Sequence, residues 1–170
     1  MTVTNKVLSD WNGLDIESAV TDVLPCCGST RWARELAQTR PVVSDAELFE
    51  RSDAVWRALS PADWDEAFRS HPRIGEKAAE KSQSATWSRG EQSGLAASSD
   101  EVRAAFERSN RAYEQHFGRK YIVCATGKSA EEMLADLERR LRNDAGAELL
   151  EAVDQQRQIT RLRLRKWLER

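Results

Sequence analysis

The chain is poor in the residues that usually announce a chemistry. Its three cysteines are an odd number, and Cys26 and Cys27 are adjacent rather than spaced as CxxC, so neither a disulfide framework nor a zinc site is indicated. A reducing, cytoplasmic setting is the expectation. Glycine and proline are scarce, 8 and 4 residues, which excludes a low-complexity or linker-dominated chain. No apolar run approaches the ~18–20 residues of a membrane-spanning helix, and MTVTNKVLSD lacks the charged-then-apolar layout of a signal peptide. Charge of one sign is missing too: 26 Lys and Arg against 28 Asp and Glu leave a net charge of −2, with no overall field to draw DNA or an anionic membrane. Neither nucleic acid nor a membrane is an expected partner.

What remains is a soluble, helix-forming composition. With 40% hydrophobic and 32% charged residues over 170 positions, the chain is apolar enough for a core and is expected to be a single domain, residues 1–170. Alanine occurs 22 times while Val and Ile together occur 14 times, and apolar residues recur at three and four more often than at two. An all-α fold, a bundle of about eight helices, follows. Ser-x-x-Glu boxes at Ser44/Glu47, Ser88/Glu91, Ser98/Glu101 and Ser129/Glu132 mark helix starts, and Ser60 before Pro61 marks another. The spacing predicts helices near 15–24, 30–39, 45–59, 61–69, 99–117, 130–142 and 147–168, with a shorter one beginning near 89. Pro41 should stop the second, and Gly118 suits the position just past the end of the helix before it. Between 71 and 98 the pattern weakens, which makes that stretch a good place for a site. YIVCAT at 121–126 is too short for a helix and reads as a buried strand-like segment or a connector between helices.

Several residues invite a chemical reading. ATGKSA at 125–130 resembles the end of a phosphate-binding loop, but Ile122 stands where that motif needs its first glycine, and Ser129 reads better as a helix cap. Of the two histidines, His116 sits near a predicted helix C-terminus, where the dipole favours an imidazolium. His71 precedes Pro72 in SHPRIGEK, within the irregular stretch, and is open to either a structural or a catalytic reading. Glu91 could serve only as the capping partner of Ser88. Gly90 and Gly94 weaken that reading, because glycine inside a helix costs ~1 kcal/mol and suggests that something approaches the backbone closely. On the C-terminal helix, at about 100° per residue from Leu149, Arg163 falls at about 320°, inside the apolar arc with Ile159 and Trp167. Arg157, Arg161 and Arg165 form what reads as a solvated basic face. A buried guanidinium needs an anionic or carbonyl partner, in an internal pair or in a ligand site; snorkelling past the stripe is the alternative.

The strings CCGSTRWARELAQTRP at 26–41, SHPRIGEK at 70–77, SRGEQSGL at 88–95, NRAYEQHFG at 110–118 and ITRLRL at 159–164, in this order, resemble the 2-oxo-4-hydroxy-4-carboxy-5-ureidoimidazoline (OHCU) decarboxylases of urate breakdown. The resemblance spans roughly residues 10 to 168. It implies an all-helical, usually homodimeric protein that needs no cofactor and decarboxylates OHCU to (S)-allantoin. By motif, it implies His71 as the catalytic histidine, Glu91 as its acidic partner and Arg163 as the guanidinium. Pro72, Ser88 and Gln92 would line the pocket, and Val123, Cys124, Ala125, Thr126 and Gly127 would supply backbone contacts. FGRKYIVCATG departs from the family's commoner pattern at Arg119 and Lys120, which leaves open which backbone groups make those contacts. Two other readings stay open: a helical interaction module docking through its basic segment Arg157 to Arg170, and a related decarboxylase acting on another ureido-imidazole.

Overall fold

The computed structural model describes residues 5–74 and 83–170, so Gly75, Glu76 and Lys77 of the SHPRIGEK string lie outside the described residues. Every regular element among the described residues is helical. In chain order these are α1 (Lys6–Asn12), α2 (Ile16–Val23), a 3-10 turn (Leu24–Cys26), α3 (Thr30–Gln38), α4 (Asp45–Ala58), α5 (Pro61–Arg69), α6 (Gln83–Glu91), α7 (Ser93–Ala96), α8 (Asp100–Phe117), α9 (Ala130–Arg140) and α10 (Ala145–Leu168). The all-α class is as expected. The additional helix α1 is started by Asn5, whose side chain accepts from the backbone N–H of Val7 and Leu8, satisfying donors that a helix start otherwise leaves unpaired.

The capping boxes were unequal guides. Ser129 and Glu132 form the full reciprocal box at the start of α9. Ser44 caps α4, but Glu47 reaches back to the N–H of Val43 instead of Ser44. The cap of α8 is Ser99, one residue later than expected, accepting from Val102 N–H. Ser88 and Glu91 start nothing: they lie in the last turns of α6, which begins before residue 89 and ends at Glu91. That correction removes helix capping as the explanation of Glu91. Gly118 ends α8 in the left-handed region at φ 70°, as the glycine rule requires. The segment 121–125 forms neither helix nor strand and is buried throughout.

The chain divides into two compact units, Met1–Ala67 with Arg157–Arg170, and Phe68–Gln156. In the first, the buried set is dominated by aliphatic side chains and indoles, including Leu8, Trp11, Trp32, Leu36, Leu48, Trp56 and Trp167. Trp11 packs edge-on against Trp167 at 5.8 Å and donates its indole N–H to the carbonyl of Ala19. Trp32, fully buried, donates to Ser52, and the half-buried Trp64 donates to the carbonyl of Trp56, so neither ring strands its one polar atom.

In the second unit, Leu95, Phe106, Tyr113, Tyr121, Val123, Ala125, Ala130, Met133 and Leu137 form the core. Tyr121, Val123 and Ala125 alternate into it, the period of extended backbone. Beneath them lies a buried ion pair. Arg140 and Glu148 are both fully buried, 2.5 Å apart, and Tyr113 donates its hydroxyl to the same carboxylate. Burial works against the Arg140 cation, but the hydrogen bond and charge of Glu148 outweigh it and push its pKa up. Burial first, and then the Glu148 carboxylate, push the Tyr113 phenol up in the same way.

Candidate active site

His71 sits just past the end of α5, which carries the turn from Phe68: the His71 N–H donates to the Phe68 carbonyl at 3.3 Å. Lys120 then locks this end from outside. Its ammonium donates to the carbonyls of His71 at 2.7 Å and of Arg69 at 3.4 Å, which satisfies acceptors that a helix C-terminus leaves over. The imidazole itself is buried, 8% exposed, with Nε2 2.6 Å from Oε1 of Gln156 on α10. Pro72 follows at the half-buried edge. His116, by contrast, is exposed in the last turn of α8 with its ring against Phe117 at 4.4 Å. The two histidines thus differ in burial.

Ser88 and Glu91 are both buried side chains of α6, and Gln92 is half-buried between α6 and α7. A carboxylate removed from water is expensive to keep without a charge or donor to meet it, which distinguishes Glu91 from the many glutamates on the surface. The glycines that follow were expected to admit a close approach. At Gly94 they do: a Cβ there would lie 2.4 Å from the carbonyl oxygen of Lys128. What approaches is the chain's own backbone, and it seats α7 against the end of the segment 123–128. At Gly90 nothing lies within 4 Å of the added Cβ, so the close-approach argument fails at that position.

The segment 121–127 has no sheet partner, so its polar groups are met by side chains. Arg140 Nη1 donates to the Ile122 carbonyl at 2.7 Å. The Cys124 N–H donates to Oε1 of Gln155 at 2.8 Å. The turn closes with Lys128 N–H on the Ala125 carbonyl and Gly127 at φ 78°, a left-handed backbone that favours glycine. Val123, Cys124 and Ala125 are buried, whereas Thr126 and Gly127 are exposed. His71, Lys120, the segment 121–127 and the middle of α10 are therefore held together by direct bonds within one unit.

Arg163 belongs to the other unit. It is 1% exposed, as the helical angle required, and Nη1 lies 3.4 Å from the Pro25 carbonyl. Its charge also bears on the neighbouring thiols. Burial pushes the Cys27 thiol up to about 12 even though Arg163 opposes it, and Cys26 is pushed up for the same reason, so both are poor nucleophiles. The expected solvated face of the same helix needs correction. Arg157 and Arg161 each lie 3.2 Å from the nearly buried Asp53 carboxylate, and Arg161 and Arg165 lie over the Phe49 ring. That face is partly engaged in the fold, which weakens the reading of a docking module. Among the described residues no group of three or more His, Cys, Asp or Glu side chains converges as a metal site would, and no helix is long and apolar enough to cross a membrane.

Comparison with known proteins places this arrangement. The family model of OHCU decarboxylase matches residues 12–165. The chain belongs to the OHCU decarboxylase family. It is 33% identical over 144 residues to the uric acid degradation bifunctional protein TTL of Arabidopsis thaliana, covering 83% of this chain and 44% of that protein, so it spans less than half of the plant protein's length. It is 28% identical over 166 residues to the 2-oxo-4-hydroxy-4-carboxy-5-ureidoimidazoline decarboxylase of Haloferax volcanii, covering 92% of this chain and 93% of that one. Among solved structures, an OHCU decarboxylase crystallised in the presence of (S)-allantoin superposes with a TM-score of 0.76 at 28% identity, over 88% of this chain and 99% of that chain.

Three residues of this OHCU decarboxylase family member escaped the sequence analysis: Lys120, Gln155 and Gln156. Lys120 was noticed only as a departure from the family pattern, and nothing local says that its ammonium reaches two carbonyls of another segment. Gln156 did leave a signal. On the wheel that singled out Arg163 it lies at about 340°, between Arg163 and Trp167, and a glutamine inside a buried arc needs a partner. Gln155 left none, because a half-buried glutamine on a helix is ordinary.

Proposed function

We propose that this chain carries out the reaction of its family, cofactor-free decarboxylation of OHCU to (S)-allantoin in urate degradation, as a carboxy-lyase. The family match over residues 12–165 supports the activity. The observation that carries the site reading is the buried His71 imidazole, fixed through both its ring and its backbone carbonyl. Organised burial of a titratable ring is what proton handling asks for.

The substrate brings its own electron sink. When the bond from the ring carbon to the carboxylate breaks, CO2 departs and the electron pair moves toward the adjacent C=N, whose nitrogen takes up the charge. A proton must then reach the ureido-bearing carbon on one face, while the neighbouring hydroxyl-bearing carbon gives up its O–H proton to become the carbonyl of allantoin and the charged ring nitrogen takes one up, for a net gain of one proton. The protein's work is to position the ring, stabilise the developing anion and deliver that proton stereoselectively. In this proposal His71 handles the proton, and Glu91 orients it and accepts from the ureido N–H groups. Pro72, Ser88 and Gln92 line the pocket, and the backbone of Val123 to Gly127 meets the ring. Because the Cys124 N–H is given to Gln155, that donor serves the substrate only if Gln155 yields it. Arg163 is assigned the ring oxygens, and its planar fork suits two at once. A homodimer acting in the cytoplasm, and one functional domain over 1–170, complete the reading.

The test is freshly generated OHCU, with optically active allantoin followed by circular dichroism. His71→Asn keeps size and some hydrogen bonding but removes the titrating group, so turnover should fall by at least ~10² in a folded protein. His116→Asn should be nearly silent. Equal effects at both positions would remove His71 from the mechanism.

A further inference from the structure

Gln156 is fully buried, and its amide oxygen lies 2.6 Å from Nε2 of His71, 85 residues away in sequence. With the amide oxygen turned to the ring, a group that only accepts, Nε2 is the donor of this bond. Its neighbour Gln155 accepts from the Cys124 N–H, so two consecutive residues of α10 hold two different parts of the candidate site. Side chains one position apart on a helix point about 100° apart, which lets adjacent amides reach segments that the chain brings in separately. Lys120 holds the backbone of His71 but cannot rotate or orient its ring.

We propose that Gln156 is a second positioning residue of His71, beside Glu91, fixing the ring plane at Nε2 through its amide oxygen. This rests on the reading of His71 as the proton-handling group. A neutral amide suits the task, because it holds the ring at Nε2 without adding a second negative charge to that of Glu91; second-layer groups of this kind orient catalytic rings generally.

The chain has only two histidines, so the His71 ring can be assigned in nitrogen-15 spectra by comparison with His116→Asn. In the wild type its Nε2–H should be visible and slow to exchange with water. In Gln156→Met, of similar length but without an acceptor, that signal should be lost to exchange, and kcat should fall roughly 10-fold with KM within about twofold, because orientation and not binding is removed. Gln156→Glu keeps an acceptor at the same reach and guards against a Met variant that does not fold. It should retain the ring N–H signal, moved downfield, while kcat changes by about fivefold or more. An unchanged ring signal in Gln156→Met, or unchanged kcat in either folded variant while His71→Asn is inactive, would overturn the positioning role. Wild-type turnover in His71→Asn would instead overturn the reading of His71 and leave the hydrogen bond standing.

Discussion

Five of the six tryptophans, at 11, 32, 56, 64 and 167, lie in the unit Met1–Ala67 with Arg157–Arg170, while both histidines lie in the unit Phe68–Gln156. The first unit is held by large rings whose single polar atom finds a nearby acceptor; Trp167 is the exception, its indole N–H having no hydrogen-bond partner among the described residues. The second is held around a buried ion pair, with two phenols and a guanidinium arranged about one extended segment. Apolar burial is non-directional and tolerates small displacements, whereas a buried polar network is costly unless every bond is made. The unit that contains the buried His71 imidazole and the segment 121–127 is the one built on directional bonds.

The comparison breaks first, and with the largest effect, at Glu148. Glu148→Ala removes the carboxylate that takes two hydrogen bonds from the buried Arg140 guanidinium, leaving Asp136 and Glu151 at 3.6 Å, and should cost about 3 kcal/mol in urea denaturation. It should also slow turnover in the folded fraction, because Arg140 carries the Ile122 carbonyl. Trp32→Phe trims an indole in the other unit and should cost about 1–2 kcal/mol, with turnover near wild type. If both variants slow the reaction equally, the division of labour between the units is wrong.

A smaller effect separates two arginines of α10. Arg163→Lys retains the charge but loses the planar fork, so weak substrate binding or slow turnover is expected in a protein that still folds. Arg161→Ala releases one of the arginines on Asp53 and should cost about 1 kcal/mol, more than a fully solvated arginine would, with activity intact because Arg157 remains on that carboxylate. A loss of activity at Arg161 with Arg163 tolerant would reverse the assignment.

The smallest effect is on pH. The Arg139 hydrogen bond, opposed by partial burial and helped by Asn143, holds the Glu151 carboxyl down at about 2 from the ordinary 4.5. A depressed folded pKa means stability that is present above the unfolded value and lost as pH falls toward the folded one. Urea midpoints should therefore decline between about pH 4.5 and 2 more steeply in the wild type than in Glu151→Gln. Identical slopes would show the pair to be screened by solvent, Glu151 being 35% exposed.

Local chemistry was legible residue by residue. The starts of α4, α5 and α9 and the end of α8 follow from Ser44, Pro61, Ser129 and Gly118, because caps and breakers act within one turn of where they stand; the cap of α8 is Ser99 rather than the Ser98 that the spacing predicts. The burial of Arg163 followed from the angle alone, since helical periodicity already states which side chains share a face. The same rules misread Ser88 and Glu91 as a helix start, because a capping box and two polar residues in a helical turn have the same spelling. They also placed Arg161 in water, since periodicity gives a direction and not what waits there.

What the sequence by itself determined is therefore the helical class, most helix ends and the family. Only the tertiary structure decided that Lys120 carries the carbonyl of His71, that Gln156 meets its ring, that Gln155 takes the Cys124 N–H and that Lys128 lies against Gly94. These contacts join positions between 31 and 85 residues apart. A side chain's own neighbourhood in sequence carries no record of a hydrogen-bond partner at that distance, because the partner is chosen by packing of whole helices rather than by local conformational preference.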